Sequence, residues 1–135
     1  IEKNPNNLKC ILLNQKMDKL YFNCNFDVII STGVLHQAKT KKEYEHSISE
    51  LSKVLKQKGL LIIEVFTNRF LDNSLQKIDY VLFLTKEGLY MTLYSTQEII
   101  DKFKQQKFYL KDNLEEIKEY PTGRRSVFRA VFEKK

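Results

Sequence analysis

At 135 residues with 42% apolar side chains, the chain is one domain's worth and can bury a core. No stretch has the length of a membrane span and no signal-peptide pattern opens it, while two cysteines, Cys10 and Cys24, fit neither a disulfide framework nor a zinc spacing. The net charge of +6 leaves nucleic acid open as a partner, but the basic residues are mostly lysines scattered among glutamates, and only Arg69, Arg124, Arg125 and Arg129 offer guanidinium forks. A reducing cytoplasm is the expected compartment, and a first residue Ile1 in place of Met suggests a piece of a longer gene product.

Residues 1–9 are polar and asparagine-rich, and Pro5 argues against a regular element there. Cys10-Ile11-Leu12-Leu13 reads as a short buried strand. Residues 14–25 form a connector that carries Leu20, Tyr21 and Phe22 as an apolar plug. The stretch Phe26-Asp27-Val28-Ile29-Ile30-Ser31 is a continuous β-branched apolar run, the pattern of a strand buried on both faces of a parallel sheet. It stops at Ser31-Thr32-Gly33, where small residues leave the backbone accessible. Ligands of parallel sheets sit beyond the carboxyl ends of the strands, so residues 31–36 are the first place to look for chemistry.

A helix is predicted over residues 41–57. Thr40 and Glu43 are spaced as a capping box, and Tyr44, Ile48, Leu51 and Leu55 recur along one face. Gly59 is expected to take the left-handed position past its end. Residues 60–66 read as a second continuous apolar strand, so strand, helix and strand make a right-handed parallel crossover. In the next stretch, Phe70, Leu71, Leu75 and Ile78 suggest a short helix. Residues 80–84 and 89–94 flank Thr85-Lys86-Glu87-Gly88 as a hairpin. Ser95 and Glu98 form a second capping box, opening a helix over residues 96–106 with Ile99, Ile100 and Phe103 inward. A strand follows from Phe108 to Lys111 or on to Ile117, then a turn at Pro121-Thr122-Gly123 and a closing antiparallel strand over residues 126–133.

Three segments together resemble the C-terminal portion of the class I S-adenosylmethionine-dependent methyltransferases. Phe26-Asp27-Val28-Ile29-Ile30-Ser31-Thr32-Gly33-Val34-Leu35-His36 resembles the family's fourth-strand motif, FDxVxxxxVLHH. Glu50-Leu51-Ser52-Lys53-Val54-Leu55-Lys56-Gln57-Lys58-Gly59-Leu60-Leu61-Ile62-Ile63 resembles its helix-to-strand segment, RVLKPGGxLxI, with Gln57-Lys58 where Pro-Gly is usual. Residues 95–103 and the closing Arg124-Arg125-Ser126-Val127-Phe128-Arg129-Ala130 resemble its ending. The resemblance implies an α/β fold with a Rossmann-like sheet, mostly parallel, ending in an antiparallel hairpin. The family's strand order is 3-2-1-4-5-7-6, and this chain would hold strands 3 to 7 as one partial domain with a lid-like insert at residues 67–94. The N-terminal strands would be missing, leaving the strand at Phe26 with an exposed edge to be covered by an N-terminal half or a partner chain. The family's glycine-rich cofactor loop and ribose-binding acid have no counterpart, and Gln15 or Lys16 stands where many members carry an aspartate near the adenine.

The implied cofactor is S-adenosyl-L-methionine. Ser31, Thr32 and Gly33 are candidates for backbone contacts to its amino-acid end, or simply a tight strand exit. Met17 and Asp18 would flank the adenine, or form an ordinary surface turn. His36 could serve as a general base, or bond a neighbouring loop or helix. Tyr90 and Tyr94 are candidate walls of a substrate pocket, while Arg124 and Arg125 could meet an anionic substrate or fringe the last turn. Asp27 reads as a cap on local backbone. No metal-ligand spacing and no Ser-His-Asp order stands out. Methyl transfer to a small molecule is the leading function, followed by a cofactor-free interaction scaffold and a basic RNA-binding domain. Neither a membrane nor, on charge alone, nucleic acid is the expected partner.

Overall fold

The computed structural model describes residues 10–135, so the polar opening with Pro5 lies outside the described residues. Its centre is a strand–helix–strand unit: β1 (Phe26–Thr32), α1 (Lys41–Val54) and β2 (Leu55–Leu71). β1 and β2 run parallel, with Ile30 opposite Ile62 and Ser31 opposite Ile63. The helix begins where its cap predicts, Glu43 N–H donating to Thr40 Oγ1 at 3.0 Å. Glu43's carboxylate reaches one residue further back than a capping box requires and accepts from Lys39 N at 3.3 Å.

The helix ends at Val54, earlier than expected, because Leu55 turns to extended backbone and pairs with Phe26. The left-handed residue of this turn is Lys58 (φ 64), not Gly59. Gly59 has a different reason to lack a side chain. A Cβ there would lie 2.7 Å from the Leu55 side chain and 2.8 Å from the Lys56 carbonyl.

Beyond β2 the chain does not form the helix suggested by Phe70, Leu71, Leu75 and Ile78. β2 continues to Leu71, and Asp72 Oδ1 then accepts from Ser74 N at 2.8 Å, closing a turn. A small antiparallel sheet follows: β3 (Gln76–Lys77), β4 (Leu82–Leu84) and β5 (Tyr90–Thr92). The β4–β5 hairpin is the expected one, with Gly88 at φ 85. α2 (Thr96–Gln105) opens on the full Ser95–Glu98 capping box. β6 (Phe108–Tyr120) runs longer than anticipated and folds back through Pro121-Thr122 into β7 (Gly123–Lys134).

The main sheet has the order β1-β2-β7-β6, which is 4-5-7-6 in the family's scheme. One strand pair is parallel and two are antiparallel, so the described sheet is mixed. Both helices contribute to one core, where Tyr44, Ile48, Ile99 and Phe103 meet Leu61, Ile63, Phe128 and Phe132.

Two expectations fail for the same reason. Cys10-Ile11-Leu12-Leu13 is not a strand, and its three aliphatic residues are exposed. β1 is not buried on both faces: Val28 is 49% and Ile30 67% exposed, and only Ser31 is buried. An apolar strand is buried only where neighbours exist on each side, and β1 is the sheet's open edge.

Candidate functional site

The carboxyl end of β1 is shaped by backbone. Gly33 turns the chain at φ 70, and its N–H donates to Glu64 O at 2.9 Å, carrying the β1–β2 pairing one residue past the strand. A Cβ at Gly33 would meet nothing within 4 Å, so the position is conformationally demanding but sterically open. Gln37 Nε2 donates to Gly33 O at 2.6 Å and holds the turn from the other side. With the Gly33 amide engaged, Ser31, Thr32 and the second lone pair of the Gly33 carbonyl are what this exit offers a ligand.

The next residues form a single 3-10 turn, Leu35–Gln37, which sends His36 inward. His36 is buried, its Nδ1 accepts the Phe66 N–H at 3.1 Å, and its ring stacks on Phe66 with centroids 4.1 Å apart. Burial pulls its pKa down to about 4; Glu64 opposes this and Arg125 adds to it. At neutral pH the ring is therefore uncharged, with the proton on Nε2 because Nδ1 is an acceptor. A general base needs a free lone pair, and this one is committed to the backbone of β2. The geometry makes His36 a bracket between the β1 exit and β2.

Beside and beneath β1 lies an open apolar hollow of about 610 Å³. Met17 and Ser31 line it together with Leu20, Phe22, Ile30 and Val34. Asp18, Thr32 and Gly33 are not in its wall. The connector that supplies Met17 is held by a side-chain clasp, with Gln15 donating to Tyr21 O at 2.8 Å and accepting from Tyr21 N at 3.1 Å. Of the anticipated apolar plug, Leu20 packs against the core while Tyr21 and Phe22 are exposed. Asp27 does not cap backbone but pairs with Lys56 at 3.1 Å across the β1–β2 register shift.

The three candidate substrate contacts are dispersed. Tyr94 belongs to the core, its ring edge-on to Tyr44 at 5.0 Å with Lys102 above it at 4.6 Å, and burial raises its pKa to about 12. Tyr90 stands exposed on β5, and Arg124 lies at the β6–β7 turn with its guanidinium over Phe70 at 4.9 Å. Gln37 was not singled out by sequence, since only the Gly33 turn gives its amide a role. Among the described residues no group of three or more His, Cys, Asp or Glu side chains could hold a metal ion.

Residues 2–63 match the family model described as a methyltransferase domain. No curated protein matches the sequence. Among solved structures, an S-adenosylmethionine-dependent methyltransferase from Methanosarcina mazei is 18% identical with a TM-score of 0.74, over 89% of this chain and 65% of its own. One from Clostridium acetobutylicum is 15% identical with a TM-score of 0.69, over 94% and 65% respectively. The 1,6-didemethyltoxoflavin-N1-methyltransferase of Burkholderia thailandensis, solved with 1,6-didemethyltoxoflavin and S-adenosylhomocysteine, is 16% identical with a TM-score of 0.63, over 87% and 48%. The chain thus spans about two thirds of the length of the first two structures it resembles. Strand order, the parallel crossover and the match over residues 2–63 agree: this chain carries part of the class I S-adenosylmethionine-dependent methyltransferase fold.

Proposed function

We propose that this chain is the C-terminal part of a methyltransferase that transfers the methyl group of S-adenosylmethionine to a small molecule. The observation that carries this reading is the β1–β2 parallel pair ending in the Gly33 turn, beside a hollow lined by Met17 and Ser31. The residues present fit one side of the cofactor. Ser31, Thr32 and Gly33 would meet its amino-acid end through backbone, and Met17, with the apolar wall, would lie against the adenine. Asp18 would take part only from outside that wall. When bound, the cofactor supplies an electrophilic sulfonium methyl. The chain's own residues hold, orient and exclude water, which suffices where alignment lowers most of the barrier.

The remaining cofactor contacts would come from an N-terminal half of the full-length protein laid along β1, which would also cover Val28 and Ile30. The insert at residues 67–94 would select the acceptor, and the small molecule bound by the Burkholderia protein supports an acceptor of that size. No helix among the described residues is long and apolar enough to cross a membrane. A cytoplasmic setting accords with the two exposed free cysteines.

Calorimetric titration of the full-length protein with S-adenosylhomocysteine tests the reading. Single-site binding is expected. Gly33→Val, which forces a β-branched side chain into a left-handed backbone at a cost of about 1–2 kcal/mol, is expected to weaken it roughly tenfold. Absence of heat would favour an interaction scaffold that has lost the cofactor. That second reading draws on the missing glycine-rich loop and on Lys16 at the adenine-side position. RNA binding has less support, because Lys53, Lys56, Lys102 and Lys111 each sit on a carboxylate.

A further inference from the structure

Arg125 is the largest nearly fully buried side chain, 2% exposed. It lies near the start of β7, opposite Leu71 of β2 and Lys118 of β6, at the end of the sheet where β1 and β2 finish. Its hydrogen bonds go to two backbone carbonyls, Arg124 O at 2.8 Å and Thr122 O at 3.4 Å. Its Nε–H is buried without a partner. Among the described residues no carboxylate oxygen lies within the 4.0 Å of an ion pair.

His36, close enough to feel the same charge, escapes burial by losing its proton, but a guanidinium cannot. Burial of this cation is therefore uncompensated by any bound counter-ion. Asp72 is near, and Arg125 helps to hold its carboxyl down at about 2. Yet both Asp72 oxygens are in use, accepting from Ser74 N and Arg124 N at 2.8 Å each. A Cβ at Gly123 would come 2.9 Å from Asp72 Oδ2 and 3.0 Å from Arg125 Nη1. The carboxylate and the guanidinium thus flank this glycine without closing into a pair.

We propose that Arg125 is the anion-recognition residue of the acceptor site, taking a carboxylate group of the methyl acceptor on its unpartnered Nε–H and a second N–H of the same guanidinium that the two carbonyl contacts leave over. Two adjacent N–H donors match the two oxygens of one carboxylate. A phosphate dianion would call for a second cation, and the neighbours are engaged: Arg124 lies over Phe70, and Lys118 sits 3.5 Å from Glu116. A carboxylate arriving at Arg125 takes over the role that Asp72 fills from a distance. Assigning the anion to the methyl acceptor rests on the methyltransferase reading; the anion site itself does not.

The test is a titration of the protein with sodium acetate at pH 7 and constant ionic strength, followed in the ¹H–¹⁵N spectrum of the arginine Nε–H groups and by thermal unfolding. One Nε–H signal is expected to move downfield saturably while the unfolding midpoint rises, and both responses are expected to vanish in Arg125→Met, a size-matched apolar replacement. Arg125→Lys, which keeps the charge and loses the fork, is expected to fold and to lose the saturable midpoint shift. A wild-type protein indifferent to acetate, a response to phosphate but not acetate, or an unchanged midpoint shift in Arg125→Met would each overturn the proposal. Titration of the same samples with S-adenosylhomocysteine reads the methyltransferase assignment separately. Acetate binding without cofactor binding would leave the anion site standing and remove the methyl acceptor as its ligand.

Discussion

His36→Ala is expected to lower the unfolding free energy by about 2–4 kcal/mol at pH 7. Two losses contribute. The Phe66 N–H, which now donates to His36 Nδ1 at 3.1 Å, would be left without a partner in a largely enclosed site, costing roughly 1–3 kcal/mol. The stacked ring contact with Phe66 would also go, worth about 0.5–1.5 kcal/mol. His36→Asn, whose amide oxygen can still accept, is expected to recover part of the difference.

The pH dependence separates this bracket from a catalytic base. In the folded chain the His36 pKa is lowered to about 4 from the ordinary imidazole value of 6.5, chiefly by burial. The unfolded chain therefore binds the proton more readily, and stability rises with pH across that window. His36's contribution is complete above pH 6.5 and erodes as the pH falls toward 4. The gap between wild type and His36→Ala should accordingly narrow by about 2 kcal/mol at pH 5 and about 3 kcal/mol at pH 4. Chemical denaturation of both proteins at pH 7, 5 and 4 measures this, and a gap that stays constant would refute the buried neutral histidine. Asp72, whose carboxyl is held down at about 2 in the folded chain, begins to lose its own contribution only near pH 4, and because it does so in both proteins it cancels from the gap.

How far such features could be read from sequence depended on the range of the interaction that fixes them. α2 was legible because the Ser95–Glu98 box and the Ile99–Phe103 spacing act within one helix. The β4–β5 hairpin was legible because Gly88 supplies a local left-handed turn. The helix suggested by Phe70, Leu71, Leu75 and Ile78 had apolar spacing but no cap, and the Asp72–Ser74 turn prevailed. Cys10-Ile11-Leu12-Leu13 had the composition of a strand, but a strand requires a neighbour, which composition does not reveal.

The site divides the same way. Gly33 was marked by the abrupt end of an apolar run. The role of His36 was left open between base and bracket, because its partner Phe66 lies on another strand. Arg124 and Arg125 read alike in sequence. Alternation along β7, with β6 extended to Tyr120, sends the first to the surface and encloses the second. Tyr94 read as a pocket wall, and it stands between two settings: its ring packs into the core and also lines a hollow of about 570 Å³ with Tyr80 and Lys102, while Asn68 N–H donates to Tyr94 O at 3.0 Å and fixes it to β2.

Phe103→Ala is expected to be the most damaging single core change on the helical side, lowering stability by about 3–5 kcal/mol. Phe103 is fully buried on the inner face of α2. It stacks on Phe132 of β7 with centroids 4.6 Å apart and meets Phe108 of β6 edge-on at 5.6 Å. Alanine would remove a ring that touches both strands of the C-terminal hairpin and leave a hollow between helix and sheet. For a domain of this length that corresponds to a fall of about 10–20 °C in the unfolding midpoint, a large share of the roughly 5–15 kcal/mol that holds such domains together. Phe103→Leu, which keeps most of the volume, is expected to cost less than half as much. Ile117→Ala, at a position 45% exposed on β6, should change stability by under about 1 kcal/mol. Urea denaturation of the three variants gives the ranking. A Phe103→Ala loss no greater than that of Ile117→Ala would mean that α2 is not docked on the sheet through this ring. The hairpin carrying Arg125 would then owe its position to β2 and α1, through the Thr67–Ser126 hydroxyl contact at 2.7 Å, the strand pairing beyond it and the Lys134 ammonium on the Leu55 carbonyl at 2.8 Å.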